Sequence, residues 1–221
     1  HFLSAIVRKV SNEIPTAAVG LNGTKITLFI NEDFFLKELT TFSSRVAVIK
    51  HETLHLIYKH LFRFDKTKYD AKLFNIAADL VVNQFIGKWN LPDSAVKLST
   101  FPELKLPENQ TVEWYYDKIA KLKKQLDKQG KVYRGITNEN NTKKIPSKSA
   151  ENLRRILEGT SHSDHSRWGL AEDSLISEHA EAELDRIIVQ TKDRISSKQY
   201  GYLPNSIKQL IQLIVEKRKP K

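Results

Sequence analysis

The stretch VAVIKHETLHLIYKHLFRF, from Val46 to Phe64, sets His51, Glu52 and His55 inside an otherwise strongly apolar run. Ser43 or Ser44 stands ahead of it as an N-cap, and the apolar spacing predicts one helix through to about Phe62. On a helix, positions i and i+4 lie about 40° apart, so His51 and His55 project from one face, one turn apart. The neighbours Val48, Ile49, Leu54, Leu56 and Ile57 call for burial nearly all round. Burying imidazoles and a carboxylate without partners is costly. A divalent metal removes that cost. The HExxH pattern then supplies two imidazole ligands for one Zn²⁺ ion, with Glu52 beside the first ligand as general base for hydrolysis. The alternative without chemistry is a pair of core histidines satisfied by hydrogen bonds, with Glu52 in an ion pair.

A zinc ion needs a third protein ligand. His60 follows His51 by nine residues, which in an unbroken helix is about 180° away. No glycine stands there to break the helix, so His60 and Arg63 are expected to make supporting contacts. The helix predicted over DAKLFNIAADLVVNQFIG, from Asp70 to Gly87, is the better source. There Asn75, Asp79 and Asn83 form a polar stripe at four-residue spacing. Asp79 is the expected carboxylate ligand, in a helix returning antiparallel after a tight connection. If Asp79 instead orients a histidine, the ligand would come from SHSDHSRW, through His162 or His165.

Elsewhere the residues predict a mainly α chain with a small N-terminal sheet, an α+β fold. Residues Phe2 to Val10 read as an amphipathic helix. TAAVGLNGTKITLFIN reads as two strands around Asn22-Gly23, and NEDFFLKEL as a short helical turn. Helices are expected over Glu113–Lys128, Ala171–Lys198 and from Pro204 to about Glu216, with Pro92, Pro102 and Pro107 punctuating a loop. The expected domain plan is a core over 1–128, a polar, lysine-rich insertion or linker over 129–149, and a C-terminal helical part of the same domain over 150–221.

With 221 residues, 40% of them hydrophobic, the chain can bury one full-sized core. It has no run of about 20 apolar residues and no signal-peptide pattern, so a soluble, cytoplasmic protein without a membrane partner is expected. The absence of cysteine excludes disulfides, thiolate zinc ligands and cysteine nucleophiles. A net charge of +10 favours an acidic substrate or partner. Lysines crowd the segment from Lys118 to Arg134, but aromatic residues do not interleave them as a nucleic-acid stacking platform would. A solvated helix face is the expected reading. A basic binding or scaffold module with a structural metal, possible on nucleic acid, is the rival; Glu52 argues against it, because a purely structural site needs no carboxylate beside its first ligand.

Residues from Thr16 to Asn83 resemble the metallopeptidase domain that precedes a von Willebrand A-like domain in bacterial and phage proteins. The resemblance rests on TAAV, LFINEDFF, HETLHLIYKHLFR and FNIAADLVVN, which match HExLHxxxxHxxR followed by NxAxDxxxN. DHSRW and GYLPNSIKQLI look like further pieces of the same domain. The resemblance implies a zincin-like, gluzincin-type helical core with an HExxH active-site helix and a zinc site in which His51, His55 and Asp79 are ligands and Glu52 the base. It also implies a protein or peptide substrate, and raises His165 as a catalytic, oxyanion-stabilising group or an alternative ligand. Arg63 and Tyr133 are further candidates to stabilise the oxyanion. No DxSxS-type motif of the von Willebrand A-like partner domain occurs. TKITLFI is the strand expected to offer an edge to an extended peptide.

Overall fold

The computed structural model describes residues 2–135, 147–159 and 174–217, with 129–135 described in backbone only. The described chain is mainly helical with one three-stranded sheet, as the residues predict. It divides into two compact units, one of His1–Tyr69, Phe85–Asp93 and His162–Lys221, the other of Asp70–Gln84 and Ser94–Ser161.

The first unit carries the sheet, in the order β1-β3-β2. Strands β2 (Ala17–Asn22) and β3 (Lys25–Ile30) form an antiparallel hairpin in which Asn22 pairs with Lys25. The loop is therefore Gly23-Thr24, one residue later than the Asn-Gly signal suggests. Gly23 has φ +60 and Thr24 is not among the positive-φ residues, so glycine stands first as a II′-type turn requires. Strand β1 (Val7–Val10) runs parallel to β3. This corrects the amphipathic helix expected over Phe2 to Val10. Only Leu3–Ala5 makes a helical turn, and Ile6, Val7 and Val10 are β-branched residues that fit a pleated strand once β3 offers its free edge. It also corrects the expected edge strand: TKITLFI is the central strand, paired on both sides, and β1 and β2 are the two edges.

Helix α1 (Phe42–Ile57) packs on β2. Its cap is Thr41, not Ser43 or Ser44. The Thr41 side chain accepts from the Ser44 N–H at 3.0 Å, while Ser44 Oγ accepts from the Thr41 N–H. The helix stops at Tyr58 instead of running to Phe62. Lys59 adopts φ 57, ψ 31, and a short α2 (His60–Arg63) restarts in a new direction. The same unit holds α6 (Ser174–Arg194), α7 (Ser197–Gly201) and α8 (Asn205–Lys217), with α6 packed on α8 and β3. The Lys59 ammonium is clamped by α6, at 2.8 Å from Glu181 and 2.6 Å from Asp185. Those two ion pairs offset the roughly 1–2 kcal/mol that a left-handed conformation costs a residue with a side chain.

The second unit is helical. Asp70 caps α3 (Ala71–Val82), its carboxylate accepting from the Leu73 N–H at 3.0 Å. Phe74, Ala77, Ala78, Leu80 and Val82 are wholly buried, and α3 packs against α4 (Val112–Gly135), on which Val112, Tyr115 and Ile119 are wholly buried. Helix α4 continues seven residues beyond the expected Lys128. Helix α5 (Lys148–Glu158) starts two residues before the helical part expected from 150. Glu103 caps it from a distance, accepting the N–H groups of Lys148 at 3.0 Å and Ser149 at 2.8 Å and a hydrogen bond from the Ser149 hydroxyl.

Candidate metal centre

Helix α1 delivers the HExxH side chains as the 3.6-residue repeat requires, and the packing of α1 on β2 buries them. His51 is 7% exposed, Glu52 2% and His55 0%, so water cannot solvate this much polarity. The two imidazoles face each other through their Nε2 atoms, 2.9 Å apart. Two nitrogens at tetrahedral positions about 2.0–2.1 Å from one zinc ion lie roughly 3.3 Å apart. The observed separation is within about 0.4 Å of that value.

Asp79, 4% exposed, comes from the apolar helix α3. One ligand atom from each of His51, His55 and Asp79 lies within 4.8 Å of the other two. These are the donors predicted from sequence: two imidazoles and a carboxylate, all buried. The donor chemistry and spacing fit a divalent metal ion.

The Glu52 carboxylate is fixed from two sides. Its Oε2 accepts the backbone N–H of Val19 at 3.0 Å, and its Oε1 stands 3.9 Å from His51 Nε2. Val19 pairs with Leu28 in the hairpin, and Ala18 with Phe29. The Asn31 N–H donates to Thr16 at 2.7 Å, which fixes the alternation and turns the Val19 amide outward from β3, to the open side of the edge strand. Residue-by-residue reading of the sequence offered no signal for this contact.

His60 is the second feature that the sequence concealed. The break at Lys59 brings its ring back to His55, Nδ1 to Nδ1 at 2.9 Å, where an unbroken helix would have carried it away. It is a supporting contact, as expected, but one on the ring of a candidate ligand. The HxxxxH spacing of the resembled family was the available signal. His60 also stacks on Tyr58, at 5.8 Å between centroids and 15° between planes. The Tyr58 hydroxyl meets Ser206 Oγ at 2.8 Å, and burial pushes the Tyr58 phenol above its usual pKa.

Arg63 is half-buried in α2. His162 and His165 lie outside the described residues, as does the side chain of Tyr133. Of the basic cluster, Lys118 sits over the Trp114 ring at 4.8 Å and Lys123 pairs with Asp127 at 2.7 Å, while Lys121, Lys124 and Lys128 are exposed on α4. No helix among the described residues is long and apolar enough to cross a membrane.

Comparison with curated proteins gave no match, and comparison with solved structures gave none. A family model described as "Putative metallopeptidase domain" matches residues 12–220, nearly the whole chain and every residue of the buried group. With that match over a chain that buries His51, His55 and Asp79 around one point, the protein belongs to this metallopeptidase-domain family.

Proposed function

We propose that the protein is a zinc-dependent metallopeptidase that hydrolyses peptide bonds in a protein or peptide substrate. The observation that carries the reading is the buried His51–His55–Asp79 group with Glu52 beside its first member. His51 and His55 would hold one Zn²⁺ through Nε2, and Asp79 through a carboxylate oxygen; two imidazoles and a carboxylate suit zinc best among common divalent ions. A zinc ion bound there supplies Lewis acidity and lowers the pKa of a water molecule towards about 7.

The remaining steps belong to the chain. The Val19 N–H pins Glu52 Oε2, so Oε1, on the His51 side, is the oxygen that takes a proton from the attacking water and returns it to the leaving amine. Burial of Glu52 keeps bulk water from competing for that proton. His165 enters as the oxyanion-stabilising group through the resemblance alone. An acidic substrate or partner fits the net charge of +10, and the von Willebrand A-like neighbour is a candidate partner.

The test is metal content after zinc reconstitution, in the wild type and in His51→Ala and Asp79→Ala. One zinc per chain, lost in both variants, is expected. Loss in the His51 variant alone would move the third ligand to His162 or His165. A wild type without zinc would refute the reading and leave a basic binding module. Cleavage of a peptide library by the wild type but not by Glu52→Gln completes it.

A further inference from the structure

A zinc ligand must present a bare nitrogen, so a neutral His55 bound through Nε2 carries its proton on Nδ1. That proton needs an acceptor, and the atom at hydrogen-bond distance is His60 Nδ1, 2.9 Å away. Ligating histidines commonly donate this second N–H to a carboxylate or a carbonyl. Here the partner at that distance is another imidazole, wholly buried and stacked on Tyr58.

Its position is a product of the break in the helix. Five residues along an unbroken helix turn a side chain by about 140°, which would set His60 on a different face from His55. The left-handed Lys59 reverses that, and the ammonium of Lys59 is held by Glu181 and Asp185 from α6. The Tyr58 ring that backs His60 is held by Ser206 from α8. The C-terminal helices thus fix a turn whose outcome is one imidazole–imidazole contact.

We propose that His60 is a positioning residue that accepts the His55 Nδ1–H and thereby fixes the ligand's tautomer and ring orientation, and that the Lys59–Glu181–Asp185 clamp delivers it. The inference rests on the metal-site reading above. Groups that orient a ligand in this way are worth about 10–100-fold in metal affinity.

The experiment uses the full chain and zinc alone. Zinc affinity is measured by competition with a chromophoric chelator for the wild type, His60→Leu, His60→Asn, Lys59→Ala and the Lys59→Ala/His60→Leu double variant. Long-range ¹H–¹⁵N correlations in the metal-free protein report the His55 tautomer. The expected results are an Nδ1–H tautomer in the wild type and a dissociation constant about 10–100-fold higher in His60→Leu. His60→Asn, whose amide oxygen stands near the place of Nδ1, should recover most of the loss. Lys59→Ala should weaken zinc binding by itself and add nothing in the double variant, since it acts through His60.

A wild type that binds zinc, with His60→Leu binding equally well or His55 protonated on Nε2, overturns this inference and leaves the metal site standing. Additive losses overturn the clamp. A folded wild type that binds no zinc overturns the site and this inference together. Should His60→Leu fail to fold, His60→Asn against His60→Gln decides: equal affinities refute a role for an acceptor at the Nδ1 position.

Discussion

Glu52 has two separable roles, and substitution by glutamine and by alanine distinguishes them. Glutamine keeps an oxygen for the Val19 N–H, now 3.0 Å from the carboxylate. It trades a hydrogen bond to a charged group, about 1.5–3 kcal/mol, for a neutral one of about 1 kcal/mol. It also relieves the burial of an anion that is 2% exposed, a term of opposite sign. The metal-free Glu52→Gln protein should therefore stay within about 1 kcal/mol of the wild type. Alanine removes the acceptor from an amide of a buried strand residue, at about 1–3 kcal/mol. The lost side-chain volume adds on the order of 1 kcal/mol, for a total of roughly 2–4 kcal/mol. Both substitutions remove the buried anion, so at about 2–4 °C per kcal/mol for a chain of this size Glu52→Ala should melt roughly 4–16 °C below Glu52→Gln. Both variants should lose about 10²–10⁴-fold in peptide cleavage, the usual contribution of a general base. The assays are thermal unfolding of the metal-free proteins by circular dichroism, and cleavage rates after zinc loading. Equal melting temperatures for the two variants would show that the Val19 contact contributes nothing. A Glu52→Gln protein cleaving within tenfold of the wild type would remove Glu52 as the base.

Zinc at one hundred times its dissociation constant should stabilise the wild type by about 2.7 kcal/mol, seen as a raised melting temperature, and should leave His51→Ala unmoved. Asp70→Ala deletes the cap on α3 and should cost about 0.5–2 kcal/mol in urea unfolding, with no change in the α1 contacts of Glu52. Hydrogen bonds, from the Ser149 hydroxyl first and then from backbone amides, hold the Glu103 carboxyl below the usual carboxylate range. A depressed folded-state pKa means that its contribution is complete above the unfolded pKa of about 4.3 and lost as pH falls through the folded value. Stability of Glu103→Gln followed from neutral pH into acid should lack that component; an unchanged acid limb would contradict it.

Much of the fold was legible because the signals are local. Asp70 and Gly87 bracket α3 and its terminal turn, and the alternation of Lys25 to Ile30 marks a strand. Helix α5 lies mostly within the part expected to be helical, but its own bounds were not legible because its apolar face is short. Of its residues Ser149, Ala150 and Leu153 are buried, and its cap is completed by Glu103, 45 residues upstream of Lys148.

The sequence by itself set His51 and His55 one turn apart on a helix with Glu52 beside the first, and offered Asp79, on an apolar helix where a carboxylate needs a reason to be, as the expected third donor ahead of His162 or His165. Those follow from periodicity, burial and the chemistry of ligands, all of which act within one element or one side chain. The tertiary structure decided what surrounds them. Whether Phe2 to Val10 is helix or strand depends on a free edge of β3, and β3 becomes central only when both neighbours have paired. Whether His60 meets His55 depends on a left-handed Lys59, stabilised by carboxylates 122 and 126 residues further along the chain. Backbone conformations of that kind cost energy locally and are repaid only by distant partners, so no window of sequence around Lys59 contains the reason for them.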